Sequence, residues 1–322
     1  MADTTTTTTQ ISAAVDAWYS PTLLVRAVSN FVYSMYGQVR DLPANSGQTV
    51  RFRRYGNLSA KTTALTEGVT PEGSQLSKTD ITATPLQYGD YVTLTDKLKF
   101  TTLDPIMMET SEIQGDQAAD TLDQLTRDVL VATTTKQFAS TATVEGDVTA
   151  AMTLNTAEIR EAVLTLQENK ARTISEMIDP SDAYNTVPVG KAYIGIIHPR
   201  TLRDLKGNSA FIPVQNYPSS VGVMPFEVGA LDDVRFIMTQ NAKVANDGLS
   251  SAAVYRTLIM GQNFYGITRV SGEALKNIVK PLGSGGTNDP LDQRATMGWK
   301  ATFVAKILND AFGIVIFHGA TQ

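Results

Sequence analysis

The stretch from Gly47 to Lys99 constrains this chain most, because two strand-like runs flank a long segment too poor in apolar residues to hold a core of its own. Thr49–Tyr55 alternates, with Val50 and Phe52 on one face and Arg51, Arg53 and Tyr55 on the other, as a half-buried strand requires. Leu86, Tyr88, Val92 and Leu94 form the answering run, within which Gly89-Asp90 reads as a bulge or kink. Between the runs, Gly56–Asp80 offers only Leu58, Leu65, Val69 and Leu76 as large apolar side chains. A hairpin of this length projects as an arm. Isolated ribbons are marginal in water and their edges invite pairing with other chains, so this arm is expected to find order on a neighbouring subunit.

With 322 residues, 42% of them hydrophobic, the chain has ample material for one large or two ordinary packed domains. A formal charge of -5 argues against a dedicated nucleic-acid binder, which needs a clustered basic surface to displace phosphate counterions. The absence of cysteine excludes thiol catalysis, disulfides and thiolate metal sites, and fits a reducing compartment. Met1-Ala2-Asp3 and the six threonines that follow lack the basic start and apolar stretch of a secretory signal, and no apolar run is long enough to span a bilayer. The expectation is an intracellular, membrane-free protein with a flexible tail over residues 1–10.

Helical spacing runs from Ser20 to Gln38 through Leu23, Leu24, Ala27, Val28, Phe31, Val32 and Met35, with Pro21 suited to a first turn and Gly37 to a stop. A second, longer helix is expected from Asp104-Pro105 to about Phe138, on the rhythm Ala118, Leu122, Leu125, Val129, Ala132. Its polar face carries Asp104, Glu109, Glu112, Asp116, Asp120, Asp123 and Asp128 against Arg127 alone. It reads either as a solvated face or as one that meets basic partner segments; Arg51, Arg53, Arg54 and Lys61 on the arm are the complementary charges. Ala139–Ala151 reads as a loop or short hairpin. Asn155-Thr156-Ala157-Glu158 has capping-box spacing for a helix to Lys170. Ala192–Ile197 is a continuous apolar strand, followed by His198-Pro199 and a short helix to Lys206. Phe211–Val228 reads as a surface loop. Strands are expected at Val234–Met238, Ala253–Met260, Phe264–Val270, Ile278–Leu282, Thr296–Ile307 and Phe312–Phe317, with Gly283-Ser284-Gly285-Gly286 as a turn. With no regular βαβ period, the assignment is α+β.

Catalytic constellations are not visible. His198 and His318 are the only imidazoles, and a hydrogen-bonded structural role is expected for His198 although it follows a strand, where catalytic residues do occur. No cofactor or metal site is expected. The glycine-rich stretch at Gly283 lacks the lysine of a phosphate loop. The alternatives to assembly are a cytoplasmic α+β enzyme with a site near His198 and a secreted β-rich adhesin, the latter weakened by the missing signal.

The order of these elements, with Thr49-Val-Arg-Phe-Arg-Arg-Tyr, Leu65-Thr-Glu-Gly-Val-Thr-Pro-Glu-Gly, Tyr88-Gly-Asp-Tyr-Val, Ile197-His-Pro and the closing strand block, resembles the major capsid protein of tailed double-stranded-DNA bacteriophages. That is the Hong Kong 97-type fold, and the closest group is typified by N-four-like phage coat proteins. The resemblance implies an N-terminal arm and short helix over residues 1–46 and an extended hairpin arm over 47–99. The spine helix with part of the peripheral domain would span 100–151, the axial domain mainly 152–262, and the closing strands 263–322. It implies hexamers and pentamers of an icosahedral head assembled in the host cytoplasm, with virion localisation. A separate scaffolding protein, a portal, decoration proteins and only weak contact with packaged DNA follow by the same analogy. The subunit contacts expected are Arg51, Arg53, Arg54, Lys61, Glu67 and Lys78 on the arm and Asp116, Asp120 and Asp123 on the spine helix. Some relatives join arm and neighbour by a lysine–asparagine isopeptide; Lys61 and Lys78 lie on this arm, but no motif selects a partner.

Overall fold

The computed structural model describes residues 31–43, 47–101, 106–179, 186–270, 275–285 and 289–321. An eight-stranded mixed sheet runs in the order β5 (Lys136–Phe138), β15 (Gly313–His318), β11 (Val254–Met260), β6 (Tyr193–Ile197), β9 (Val234–Met238), β8 (Glu227–Leu231) and β7 (Ile212–Pro213), with β10 (Val244–Ala245) also paired to β11. A five-stranded sheet joins β1 (Gln38–Leu42), β12 (Tyr265–Val270), the long β14 (Arg294–Ile307), β13 (Lys276–Lys280) and β4 (Leu86–Thr95). β2 (Val50–Tyr55) and β3 (Lys78–Ala83) form a separate antiparallel ribbon. The helices are α1 (Asp96–Thr101), α2 (Ile106–Val131), α3 (Thr156–Glu168) and α4 (Pro199–Lys206).

The unbroken apolar run of β6 follows from its burial on both faces. Ile194 and Ile196 point into a core shared by both sheets, with Leu130, Leu258, Phe264, Ile267 and Phe303. Tyr193 and Ile197 point the other way, into a core closed by Ile159 and Leu166 of α3 and Leu202 and Leu205 of α4. Gly195 sits where an added Cβ would stand 2.7 Å from the Phe236 ring, so the strand needs glycine for close approach. α3 begins with the expected capping box: Asn155 Oδ1 accepts from the Ala157 amide at 2.8 Å, and Glu158 Oε2 accepts from the Asn155 amide at 3.1 Å.

Four expectations change. The helix from Asp104 ends at Val131, and Lys136–Phe138 joins β15 as a parallel edge strand; Asp104 itself lies outside the described residues. The threonines beyond Ala132 are captured instead by Asp310, whose Oδ1 accepts from Thr133 Oγ1 at 2.8 Å and whose carbonyl accepts from Thr135 Oγ1 at 3.0 Å. β-branched hydroxyl residues lose little by leaving a helix for such bonds. Of the helix expected at Ser20–Gln38, residues 20–30 lie outside the described residues, as does the 1–10 tail; residues 31–37 form turns and β1 begins at Gln38. The Tyr265 hydroxyl holds those turns, donating to the Tyr33 carbonyl at 2.5 Å and accepting from the Tyr36 amide at 3.2 Å.

The third change concerns pairing. β2 pairs with β3, while β4, the answering run, pairs along its whole length with β14. Its register is continuous, so Gly89 makes no bulge; an added Cβ there would stand 2.6 Å from the Trp299 carbonyl oxygen. Phe211–Val228, expected as a surface loop, instead buries Phe211 and Tyr217, supplies the edge strand β7 that pairs with β8, and ends in the first residues of β8.

Candidate assembly interface

The ribbon carries the candidate interface. Gly56 donates its amide to the Ser77 carbonyl at 2.9 Å, closing the ladder, and every residue from Arg53 to Asp80 is exposed. Leu65 and Leu76 are 77% and 72% exposed. A turn at Gly68, whose φ is +79°, is closed by the Val69 amide donating to the Thr66 carbonyl at 3.2 Å. At its root the ribbon is held by Phe52, which packs over Gly266, and by Ala83. Beside that contact a cavity of about 600 Å³, lined by Arg40, Arg54, Leu308 and Phe312 among others, separates ribbon from body. Phe52→Ala should therefore remove most of the ribbon's anchorage, about 3 kcal/mol locally. The expected readout is lost hydrogen-exchange protection in β2 and β3 with an unchanged melting temperature for the sheets.

The predicted charges fall into different settings. Arg51, Arg54, Lys61 and Glu67 are exposed on the ribbon. Arg53 and Lys78 pair with Asp80 of the same ribbon at 3.2 and 3.0 Å, and the hydrogen bond from Lys78, with that from Arg53, holds the Asp80 carboxyl below its usual range. On α2, Asp116 is half-buried, and Asp120 accepts from Asn241 Nδ2 at 2.7 Å. Asp123 does not face outward: it is fully buried and also receives Asn241 Nδ2, at 3.3 Å. Burial raises its carboxyl, offset in part by Asn241 and the Val32–Ser34 amides. A heptad-like reading could not foresee this, because the turns at residues 31–37 cover that side of the helix. Asp128 is likewise engaged within the chain, by Arg127 at 3.0 Å and Lys243 at 2.8 Å.

α2 lies on one face of the five-stranded sheet, where Ala118, Trp299 and Ala301 form a small core. Gln114 Nε2 donates to the Met297 carbonyl at 2.7 Å, and Trp299 Nε1 to Gln117 Oε1 at 3.2 Å. His198 caps α4, its Nδ1 accepting from the Arg200 amide at 3.2 Å. His318 is buried between Thr257 and the Gly319 carbonyl. Among the described residues no group of three or more His, Cys, Asp or Glu side chains that could hold a metal ion converges. No helix of the described residues is long and apolar enough to cross a membrane.

No protein-family model and no curated protein sequence matches the chain. Solved structures do. The capsid of Ralstonia phage GP4 superposes with a TM-score of 0.73 at 14% identity, covering 96% of each chain. A chain of the cyanophage Pam1 capsid asymmetric unit gives 0.68 at 18% identity over 100% of both chains. The fold is that of phage capsid proteins. The head of Helicobacter pylori phage KHP40 gives 0.62 at 12% identity, again over 96% of each chain. The mixed α+β assignment and the Hong Kong 97-type expectation agree with it.

Proposed function

We propose that this chain is the structural major capsid subunit of a tailed bacteriophage, without enzymatic activity, assembling as hexamers and pentamers into a shell around double-stranded DNA. The reading is carried by one observation: a ribbon whose loop residues Leu58, Leu65, Val69 and Leu76 are all exposed in the single chain, on a fold shared with phage capsids. Shell subunits need contacts that close on copies of themselves, and a reaching arm supplies area without a second globular interface. Arg51, Arg54, Lys61 and Glu67 are the arm charges assigned to neighbours, with Asp116 on α2; Asp123 is withdrawn because it serves its own core. A scaffolding protein, portal and decoration proteins, virion localisation and kinship with the N-four-like group belong to the same reading, as do the peripheral and axial domain bounds.

Deleting Ser59–Ser77 tests it. The expected result is a soluble subunit with an unchanged melting temperature that forms no shells, rings or capsomers under negative-stain microscopy, whereas the intact chain forms them. Global unfolding of the deletion variant, or an intact chain that stays monomeric with a protease-resistant arm, overturns the proposal.

A further inference from the structure

We propose that the cavity between the ribbon and the body binds a small phosphate-bearing ligand of the nucleoside di- or triphosphate class. The site belongs to the single chain and does not depend on assembly. Its volume of about 600 Å³ lies in the range that encloses a ligand of this size. One wall is ribbon, with Arg54, Tyr55 and Asn57; the other is body, with Arg40, Asn263 and Asn309. In a chain of net charge -5, no aspartate or glutamate lines it.

Strand register explains why these two cations are left over. On β2, Arg53 meets Asp80 across the ribbon and pairs with it at 3.2 Å. Arg54 points the other way, to the side on which Phe52 packs over Gly266, and its cross-strand neighbour is Thr79. On β1, Asp41 stands beside Arg269 of β12, whereas Arg40 stands beside Thr268. Each pairing thus keeps its carboxylate off the cavity side and leaves a guanidinium on it. Among the described residues, neither Arg40 nor Arg54 has a carboxylate partner.

A guanidinium offers paired N–H donors that match phosphate oxygens, and one on each wall suits a chain of phosphates better than a single anion. The side-chain amides of Asn57, Asn263 and Asn309 carry both donors and acceptors, as the edge of a base requires. The rest of the lining includes Phe52, Ile81, Leu308 and Phe312, with the Tyr55 ring 59% exposed. A bare inorganic anion would leave that apolar surface in water, whereas a planar base stacks on it. Arg54 is thereby assigned to the ligand and not to a neighbouring copy. Arg51 is outside the cavity lining and keeps its assembly role. Because the ligand touches both walls, binding ties the ribbon to the body.

The test titrates ATP and tripolyphosphate into the full chain by calorimetry, with hydrogen exchange followed in β2 and β3. ATP should bind saturably, about fivefold or more tighter than tripolyphosphate, and should slow exchange in both strands. Combining Arg40→Gln with Arg54→Gln should weaken ATP by about tenfold or more, with the melting temperature of the unliganded chain unchanged; Arg51→Gln should leave the affinity as it was. Deleting Ser59–Ser77 keeps Arg54 and Asn57, so that variant should still bind ATP whatever becomes of its assembly. Absence of saturable binding, or binding indifferent to the double variant, overturns the inference without touching the assembly reading. Equal affinity for tripolyphosphate overturns the nucleoside assignment, and a duplex oligonucleotide that displaces ATP and binds more tightly assigns the cavity to nucleic acid and overturns it as well.

Discussion

Glu227→Ala should destabilise the folded subunit by about 3 to 5 kcal/mol, because it strands a guanidinium in the interior. Glu227 and Arg235 are 0% and 1% exposed and form a two-pronged pair, Nε to Oε1 at 2.6 Å and Nη2 to Oε2 at 2.7 Å. The remaining capacity of the carboxylate is also used: Oε1 accepts from the Tyr217 hydroxyl at 2.9 Å and Oε2 from the Met224 amide at 2.8 Å. Burial and the adjacent carboxylate push the Tyr217 phenol up, so it stays protonated and donates. Arg235 spends a further hydrogen bond on the Gly222 carbonyl at 2.7 Å, tying the loop before β8 to β9. Removing the carboxylate takes the acceptor from four hydrogen bonds and leaves a buried positive charge, whereas replacing both charges by Met removes the guanidinium and the carboxylate together. Urea titration should therefore show the double variant more stable than Glu227→Ala. A Glu227→Ala loss under about 1 kcal/mol would show that water replaces the carboxylate without cost.

Acidification should cost the subunit about 3 kcal/mol between pH 6.5 and 4 through His318 alone. The ring is fully buried; Nδ1–H donates to the Gly319 carbonyl at 2.6 Å, which leaves Nε2 to accept from the Thr257 hydroxyl at 2.9 Å. Burial lowers its pKa to about 4, against an ordinary value of 6.5. The unfolded chain thus binds the proton first as pH falls. The stabilisation is complete above pH 6.5, is lost progressively toward pH 4, and declines no further below that. His198 is lowered in the same sense, by burial and then by Arg200, and adds to the loss. Asp123 opposes it, since its raised carboxyl takes up a proton more readily folded than unfolded. Urea midpoints at pH 7.5 and 4.5 should differ clearly for the native chain and by much less for His318→Asn. Equal pH dependence in the two would exclude His318 as the source.

Local elements were legible where a single stretch carried both its pattern and its stops. The capping box opening α3, His198-Pro199 opening α4 and the apolar run of β6 each appear where their residues demand them. β8 was not recognised, although Leu231-Asp232-Asp233-Val234 carries a two-residue hairpin signal; both aspartates adopt positive φ, as a type I′ turn requires. The coreless arm was legible because solvent exposure follows from composition, and residues 53–80 are exposed throughout.

Pairing and facing were not legible, and the physical reason is distance along the chain. β4 has the alternation of a ribbon strand, yet β14, some two hundred residues away, supplies its ladder, and the glycines at 89 and 298 owe their place to that contact. Asp123 has the same helical phase as its acidic neighbours, but turns from residues 31–37 close over it. Residue type and local spacing alone therefore determined α3, α4, β6 and the segment that lacks a core, but not the strand at Lys136–Phe138 or the turns at residues 31–37. Which strand each one meets, which carboxylates are buried, and the arginine-lined, carboxylate-free cavity beneath the ribbon were decided by tertiary structure, because a side chain's partner across a sheet is set by register and not by sequence neighbours.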